Sequence, residues 1–282
     1  MTQESSNNKT LMISNFFWTL LVFSAVSGFF LLERITAATP ASSAQVSHRI
    51  EGEGFDSPEN AALAYLEGLR DLDLHRMIST FAVESYAENY DFEAGLNRVQ
   101  VYQFGQEIKL PNANDFATAL NIESRRSRVS FIVLSHYLYL CHPEFNRVNS
   151  IVLKSETDIR NFIAELNINL NTPSFKTLKI LGSIPPLVLH DYFQNPKNME
   201  NMERLATVRG ADSLVSCAAV FTLGGKEYIL CLDAISYGGK WYISELGGNI
   251  GMLLAIPVFS MGTAPIPDER RDEIYEVLSP VK

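Results

Sequence analysis

LVSCAAVFTLGGKEYILCLDAISYGGKWYIS, residues 214–244, decides the fold of this chain. Three β-rich runs, Leu214–Leu223, Glu227–Ile235 and Lys240–Ser244, are separated by Gly224-Gly225 and by Tyr237-Gly238-Gly239-Lys240. Paired glycines reach the positive φ values of a two-residue hairpin, whose twist matches that of the flanking strands. The stretch is therefore an antiparallel meander. With Leu223 opposite Lys226, Cys217 falls opposite Leu232, so Cys217 and Cys231 lie on opposite faces. A bridge between them would need a one-residue register shift. Buried free thiols are expected for Cys141, Cys217 and Cys231, the three cysteines of the chain.

Upstream the pattern is helical. Asp56 or Ser57 caps a helix with Pro58 in its first turn and Ala61, Ala62, Tyr65, Leu66 and Leu69 at helical spacing. Asp71-Leu72-Asp73 breaks it, Asp73 caps the next helix, and Leu74, Met77, Ile78 and Phe81 form that helix's stripe, giving an αα-hairpin over about 58–82. Residues 84–112 suggest a short helix. Asp115 to Tyr139 reads as a longer one interrupted by Arg125-Arg126-Ser127-Arg128, with a buried apolar back half from Val129 to Leu140. Ile151 to Lys154 reads as a short strand. Ser155 and Asp158 form a cap pair before the stripe Ile159, Phe162, Ile163 and Leu166. Thr177 to Leu181 is a second short strand and Asn198 to Arg209 a further helix with Met199, Met202, Leu205 and Ala206 inward. Helices first and sheet last is an α+β order.

At the other end, Leu11 to Leu32 is an uncharged apolar run with Lys9 before it and Glu33 and Arg34 after it. As a helix it is about 33 Å long, enough for a hydrocarbon core of about 30 Å. It is read as an uncleaved single-pass anchor preceded by a short cytoplasmic tail (1–10), with a cleaved signal and a secreted product as the alternative. The Ala/Ser/Thr-rich 33–52 reads as a flexible stalk, and 53–282 as a domain outside the cytoplasm. Deleting residues 1–34 removes two acids and two bases and leaves the net charge at −9. That argues against nucleic acid as a partner, because phosphates call for a basic face.

The stretch Gly54-Phe55-Asp56-Ser57-Pro58-Glu59, followed by 61–69, Asp73-Leu74 and 77–82, resembles the opening helix pair of the nuclear-transport-factor-two-like, or SnoaL-like, superfamily. Gly239-Lys240-Trp241-Tyr242-Ile243 is similar to the hairpin that ends its sheet, and the chain as a whole resembles membrane-anchored bacterial proteins carrying such a domain. The resemblance implies a cone of helices on a curved antiparallel sheet, with an insertion at about 83–210. It does not fix a function, since that fold hosts isomerases, cyclases, dehydratases and binding modules.

Enzymes of that superfamily use an Asp base, or an Asp–His or Tyr–Asp pair, inside the cone. Asp233, the one acid of its strand run after Glu227, is the candidate here, with Trp241 and Tyr65 as pocket neighbours. The alternative for Asp233 is an outward-facing strand acid, solvated or salt-bridged. His136 is either a core histidine or a proton shuttle. Arg125, Arg126 and Arg128 form the one basic cluster, able to grip an anion or to pair with acids on a helix face. The apolar 250–261 either plugs the core or docks a partner through Met252, Leu253, Leu254, Ile256 and Phe259. Gly247 to Gly251 is a tight turn. No zinc-ligand spacing, nucleophile elbow or phosphate loop occurs, so no metal and no cofactor is expected. The expected function is binding or protein interaction without catalysis, through a protein partner or a homodimer. The alternatives are an isomerase or dehydratase acting through a cavity acid, and a structural subunit of an envelope complex.

Overall fold

The computed structural model describes residues 49–100, 109–142, 151–171, 174–185, 195–248, 251, 256 and 260–281. The anchor expectation at 11–32 lies outside them. Among the described residues, no helix is long and apolar enough to cross a membrane.

In chain order the elements are α1 (Pro58–Asp71), α2 (Leu74–Ser79), α3 (Glu84–Glu88), α4 (Phe92–Val99), α5 (Asp115–Cys141), α6 (Glu156–Asn171), β1 (Lys179–Ile184), α7 (Pro196–Val208), β2 (Ser213–Leu223), β3 (Lys226–Tyr237), β4 (Lys240–Leu246), β5 (Thr263–Pro265), α8 (Arg271–Glu276) and β6 (Ser279–Pro280). The caps act as the spacing predicts. Ser57 accepts from the Asn60 N–H, Asp73 from the Arg76 N–H, and Ser155 and Asp158 cap each other's backbone. The chain is an α+β protein whose sheet runs β4-β3-β2-β1-β6, with β5 pairing β3 beyond the end of β4.

Both hairpins turn on glycine pairs at positive φ: Gly224 and Gly225 at 60° and 78°, Gly238 and Gly239 at 59° and 76°. They fix the register, with Cys217 opposite Leu232 and Ser216 opposite Asp233. One sheet face therefore carries Cys217, Ala219, Phe221, Leu230, Leu232 and Ala234, and packs on α1 and the second half of α5. On that face α1 contributes Ala61, Ala62, Tyr65, Leu66 and Leu69, all fully buried. The other face carries Ala218, Val220, Ile229 and Cys231 against Ile266 and Ile274 of the C-terminal segment, and Leu214 and Ile235 against α7. Burying both faces explains why β3 reads as a near-continuous apolar run. Bulges at Asp233/Ala234 and Ile180/Gly182 bend the strands and add twist.

Several expectations change. Residues 49–52, assigned by composition to the stalk, belong to the fold. Glu51 accepts from the Val83 and Ser85 N–H groups, while Glu84 accepts from the Ile50 and Glu51 N–H groups. This reciprocal clasp ties the two segments together and satisfies the N-terminus of α3. Burial opposes ionisation of Glu84, but the Arg126 guanidinium and the backbone donors outweigh it and hold that carboxyl below its usual range. Helix α5 runs unbroken through the arginines, because arginine favours helix and each guanidinium finds a carboxylate. Its back half is only partly buried: Phe131 and Leu134 are about half exposed. Ile151 to Lys154 is exposed and not a strand. The strand expected at 177–181 is β1, paired with β2.

Candidate functional site

Of the pocket candidates Tyr65, Trp241 and Asp233, the first two belong to the core on one sheet face and Asp233 projects from the other. Tyr65 stands on the middle of α1 at the centre of the core beneath the sheet. Its hydroxyl is 2.8 Å from His136 Nδ1, and His136 Nε2 is 2.8 Å from Thr263 Oγ1. Phe81 packs edge-on to the Tyr65 ring with centroids 5.8 Å apart, and the His136 ring stacks on it at 5.7 Å. All three polar partners have zero exposure. The neutral imidazole has one donor and one acceptor nitrogen, so one hydroxyl donates to it and the other accepts. Burial drives the His136 pKa down to about 3 and pushes the Tyr65 phenol up. The two hydrogen bonds link α1, α5 and β5 inside the core beneath the sheet. Sequence reasoning singled out Tyr65 and His136 separately, but the contact between them spans 71 residues.

This arrangement has a pH consequence. In the unfolded chain a histidine binds a proton below about pH 6.5; in the fold His136 does not until about pH 3. Its contribution is complete above pH 6.5 and is lost as pH falls from there toward 3. At pH 4.5 the loss from this group is about 2.5 kcal/mol relative to pH 7. Urea titrations should show a steeper fall between pH 6.5 and 4.5 for the natural chain than for His136→Gln.

Trp241 is on the β4 edge, partly buried against the same core. Its backbone pairs both ways with Phe55, at 2.9 and 2.8 Å. Asp233 projects from the opposite sheet face. It is only 8% exposed and accepts from Ser216 Oγ at 2.5 Å. Gly248 lies directly over it: a Cβ there would stand 2.2 Å from Asp233 Oδ1. The Gly251 N–H donates to Gly247 O, closing the turn that covers the carboxylate. Asp233 is thus neither a solvated acid nor a neighbour of Tyr65. It is the buried partner of a serine and a glycine turn. The signal was available in the hairpin register, which sets Ser216 opposite Asp233.

The arginines act as internal ties. Arg125 is 1% exposed. Its Nε donates to Ala82 O at 3.0 Å, Nη1 to Glu245 at 3.1 Å and Nη2 to Ser244 O. Its guanidinium lies 4.3 Å from the centroid of the Tyr86 ring. Arg126 pairs with Glu84 and Glu123, and the exposed Arg128 approaches Glu245 at 3.7 Å. Two more cations gather on Tyr86. Lys109 donates to its hydroxyl at 2.6 Å, and Arg209 lies 5.7 Å from its ring while donating to Ser244 Oγ. Tyr86, Tyr90, Lys109, Asn121, Ser124 and Arg125 line an indentation of about 220 Å³, open solvent included. Sequence reasoning missed Tyr86, Lys109 and Arg209 as parts of this cluster, because they come from three distant segments.

Met252, Leu253, Leu254 and Phe259 lie outside the described residues. Ile256 is partly buried against the Ile229–Cys231 face, and its N–H donates to Gly251 O. The three cysteines are buried and free, as the register predicts, and burial raises each thiol pKa. Among the described residues no group of three or more His, Cys, Asp or Glu side chains could hold a metal ion.

No family model and no curated protein matches the chain. Among solved structures, a cystatin-like protein from Ruminococcus gnavus ATCC 29149 is similar at 19% identity and a TM-score of 0.36, over 66% of this chain and 39% of that one. The chain thus spans well under half the length of that protein.

Proposed function

We propose that the chain is a membrane-anchored binding or protein-interaction module that performs no catalysis, with its folded domain outside the cytoplasm. The domain is of the cone-shaped, nuclear-transport-factor-two-like kind. The observation that carries the non-catalytic reading is the Tyr65–His136–Thr263 triad. Three hydrogen-bonded, fully buried side chains fill the core between α1, α5 and the sheet, and leave their polar atoms turned to one another. An enzyme needs a concave site with converging polar groups; here the strand acid faces the other side of the sheet. The anchored reading rests on the apolar run 11–32 and the stalk after it.

The test uses cells producing the full chain with a photocrosslinking side chain in place of Ile163, an exposed position on α6. The expected result is a discrete light-dependent adduct in the membrane fraction, with the domain open to protease added from outside. Recovery of the uncrosslinked chain in the cytoplasm overturns the reading.

A further inference from the structure

Lys109-Leu110-Pro111-Asn112 bridges α3 and α5 as a strap that is neither helix nor strand. Pro111 favours an extended conformation for Leu110, the residue before it. Leu110 is only partly buried, and Pro111 and Asn112 are exposed. What holds the strap is polar. The Leu110 N–H donates to Asn121 Oδ1, and Asn121 Nδ2 donates to Leu110 O, both at 2.8 Å. Asn112 Nδ2 donates to the Ala87 and Glu88 carbonyls at the end of α3, at 2.9 and 3.0 Å. The Lys109 ammonium donates to the Tyr86 hydroxyl at 2.6 Å and stands 4.7 and 4.4 Å from the centroids of the Tyr86 and Tyr90 rings.

Asn121 is 6% exposed on α5, although asparagine is a poor helix former and a buried carboxamide is costly unless it is bonded. Its amide gives Leu110 the two bonds that a neighbouring strand would give, and so grips backbone whatever side chain stands there. Beside it the two tyrosines, with ring centroids 6.4 Å apart, form a slot that takes an ammonium. Arg125, next to the slot, has its charge met by Glu245. A backbone clamp with a side-chain slot beside it is how extended peptides are recognised. The chain's net charge of −9 draws basic segments toward it.

We propose that the cleft between α3 and α5 is a binding site for an extended segment of a partner protein that presents a lysine followed by an apolar residue, and that 109–112 closes it in this structure as an internal stand-in. This deepens the interaction-module reading, on which it rests, by naming the partner's chemistry. The strap is held at the surface by polar contacts, so it exchanges where a core segment would not. Being tethered, it acts at an effective concentration of roughly millimolar, which a partner segment has to outcompete.

The test is fluorescence anisotropy of labelled acetyl-Lys-Leu-Pro-Asn-amide with the full chain in detergent. Lys109→Ala with Asn112→Ala removes the two side chains by which the strap holds on, and leaves Tyr86, Tyr90 and Asn121 in place. K109A/N112A is expected to bind the peptide at least about tenfold more tightly than the natural chain, because its internal competitor is weakened. Norleucine in place of the peptide's lysine keeps the stem and removes the charge, and should weaken binding at least about tenfold. Equal affinities for the two chains, equal binding of the reversed peptide Asn-Pro-Leu-Lys, or no binding to a folded double variant overturn the proposal. So does a double variant that no longer folds, since the strap is then part of the fold and not a stand-in. The interaction reading is decided separately: if these results go against the cleft while the light-dependent adduct at Ile163 still forms, the partner binds another face.

Discussion

Replacing Arg125 by methionine should cost about 3–5 kcal/mol, the range for removing one partner of a buried ion pair. The side chain is almost fully buried and ties three segments: Ala82 before α3, Ser244 and Glu245 on β4, and α5 itself. Methionine fills much of the volume but leaves two carbonyls without their donor and Glu245 with only the more distant Arg128 as a cation. Lysine keeps the charge yet cannot donate in three fixed directions, so Arg125→Lys should still cost about 2 kcal/mol. The check is the urea midpoint at constant m. In the double variant R125M/E245Q part of the loss should return, because the carboxylate that lost its nearer cation is gone. A cost for R125M below about 1 kcal/mol would mean that Arg125 is not a structural tie, and the anion-binding reading would regain its ground.

Gly262→Ala should be comparably damaging. Gly262 has φ +77°, and a Cβ there would stand 2.3 Å from Cys231 O and 2.3 Å from Gly247 N. Those backbone atoms are already engaged. The Cys231 N–H donates to Gly262 O and the Gly247 N–H to Cys231 O, both at 2.8 Å, at the point where β3 passes from β4 to β5. Positive φ alone costs a non-glycine residue about 1–2 kcal/mol, and a backbone clash adds to it, so a total of at least about 3 kcal/mol is expected. Gly224→Ala is the control. Its φ is +60°, but nothing lies within 4 Å of the added methyl group, so about 1 kcal/mol is expected. Equal melting shifts for the two variants would show that the β4–β5 junction is looser than described.

What was legible in the sequence was local. Gly224-Gly225 and Gly238-Gly239 carry their turn geometry within two residues, and Ser57, Asp73 and Ser155/Asp158 carry their caps within three. The meander, the αα-hairpin and the separation of Cys217 from Cys231 followed from these. What was not legible depends on distant partners. β5 and β6 have three and two residues, and they exist because β3 and β1 offer them unpaired backbone. The run Ile151-Val152-Leu153 looks like a strand but pairs with no described strand, so its propensity goes unused. Arg125 reads as a surface cation because its acceptors lie 43 to 120 residues away. The Glu51–Glu84 clasp spans more than 30 residues, which is why composition extended the stalk too far. The candidate pocket failed for a more specific reason. Asp233 alternates onto the face opposite Tyr65, and the residue that shares the core with Tyr65 is His136, from a helix whose path the sequence does not fix.

The core beneath the sheet is filled, with Tyr65, His136 and Thr263 closed on one another and away from water. The nitrogen and carbon chemical shifts of the His136 ring between pH 4 and 8 measure this. A single neutral tautomer is expected throughout, with no titration step, as a pKa pushed down to about 3 requires. A step near pH 6.5 would mean that water or ligand reaches the ring, and that a cavity lies where the side chains are said to meet.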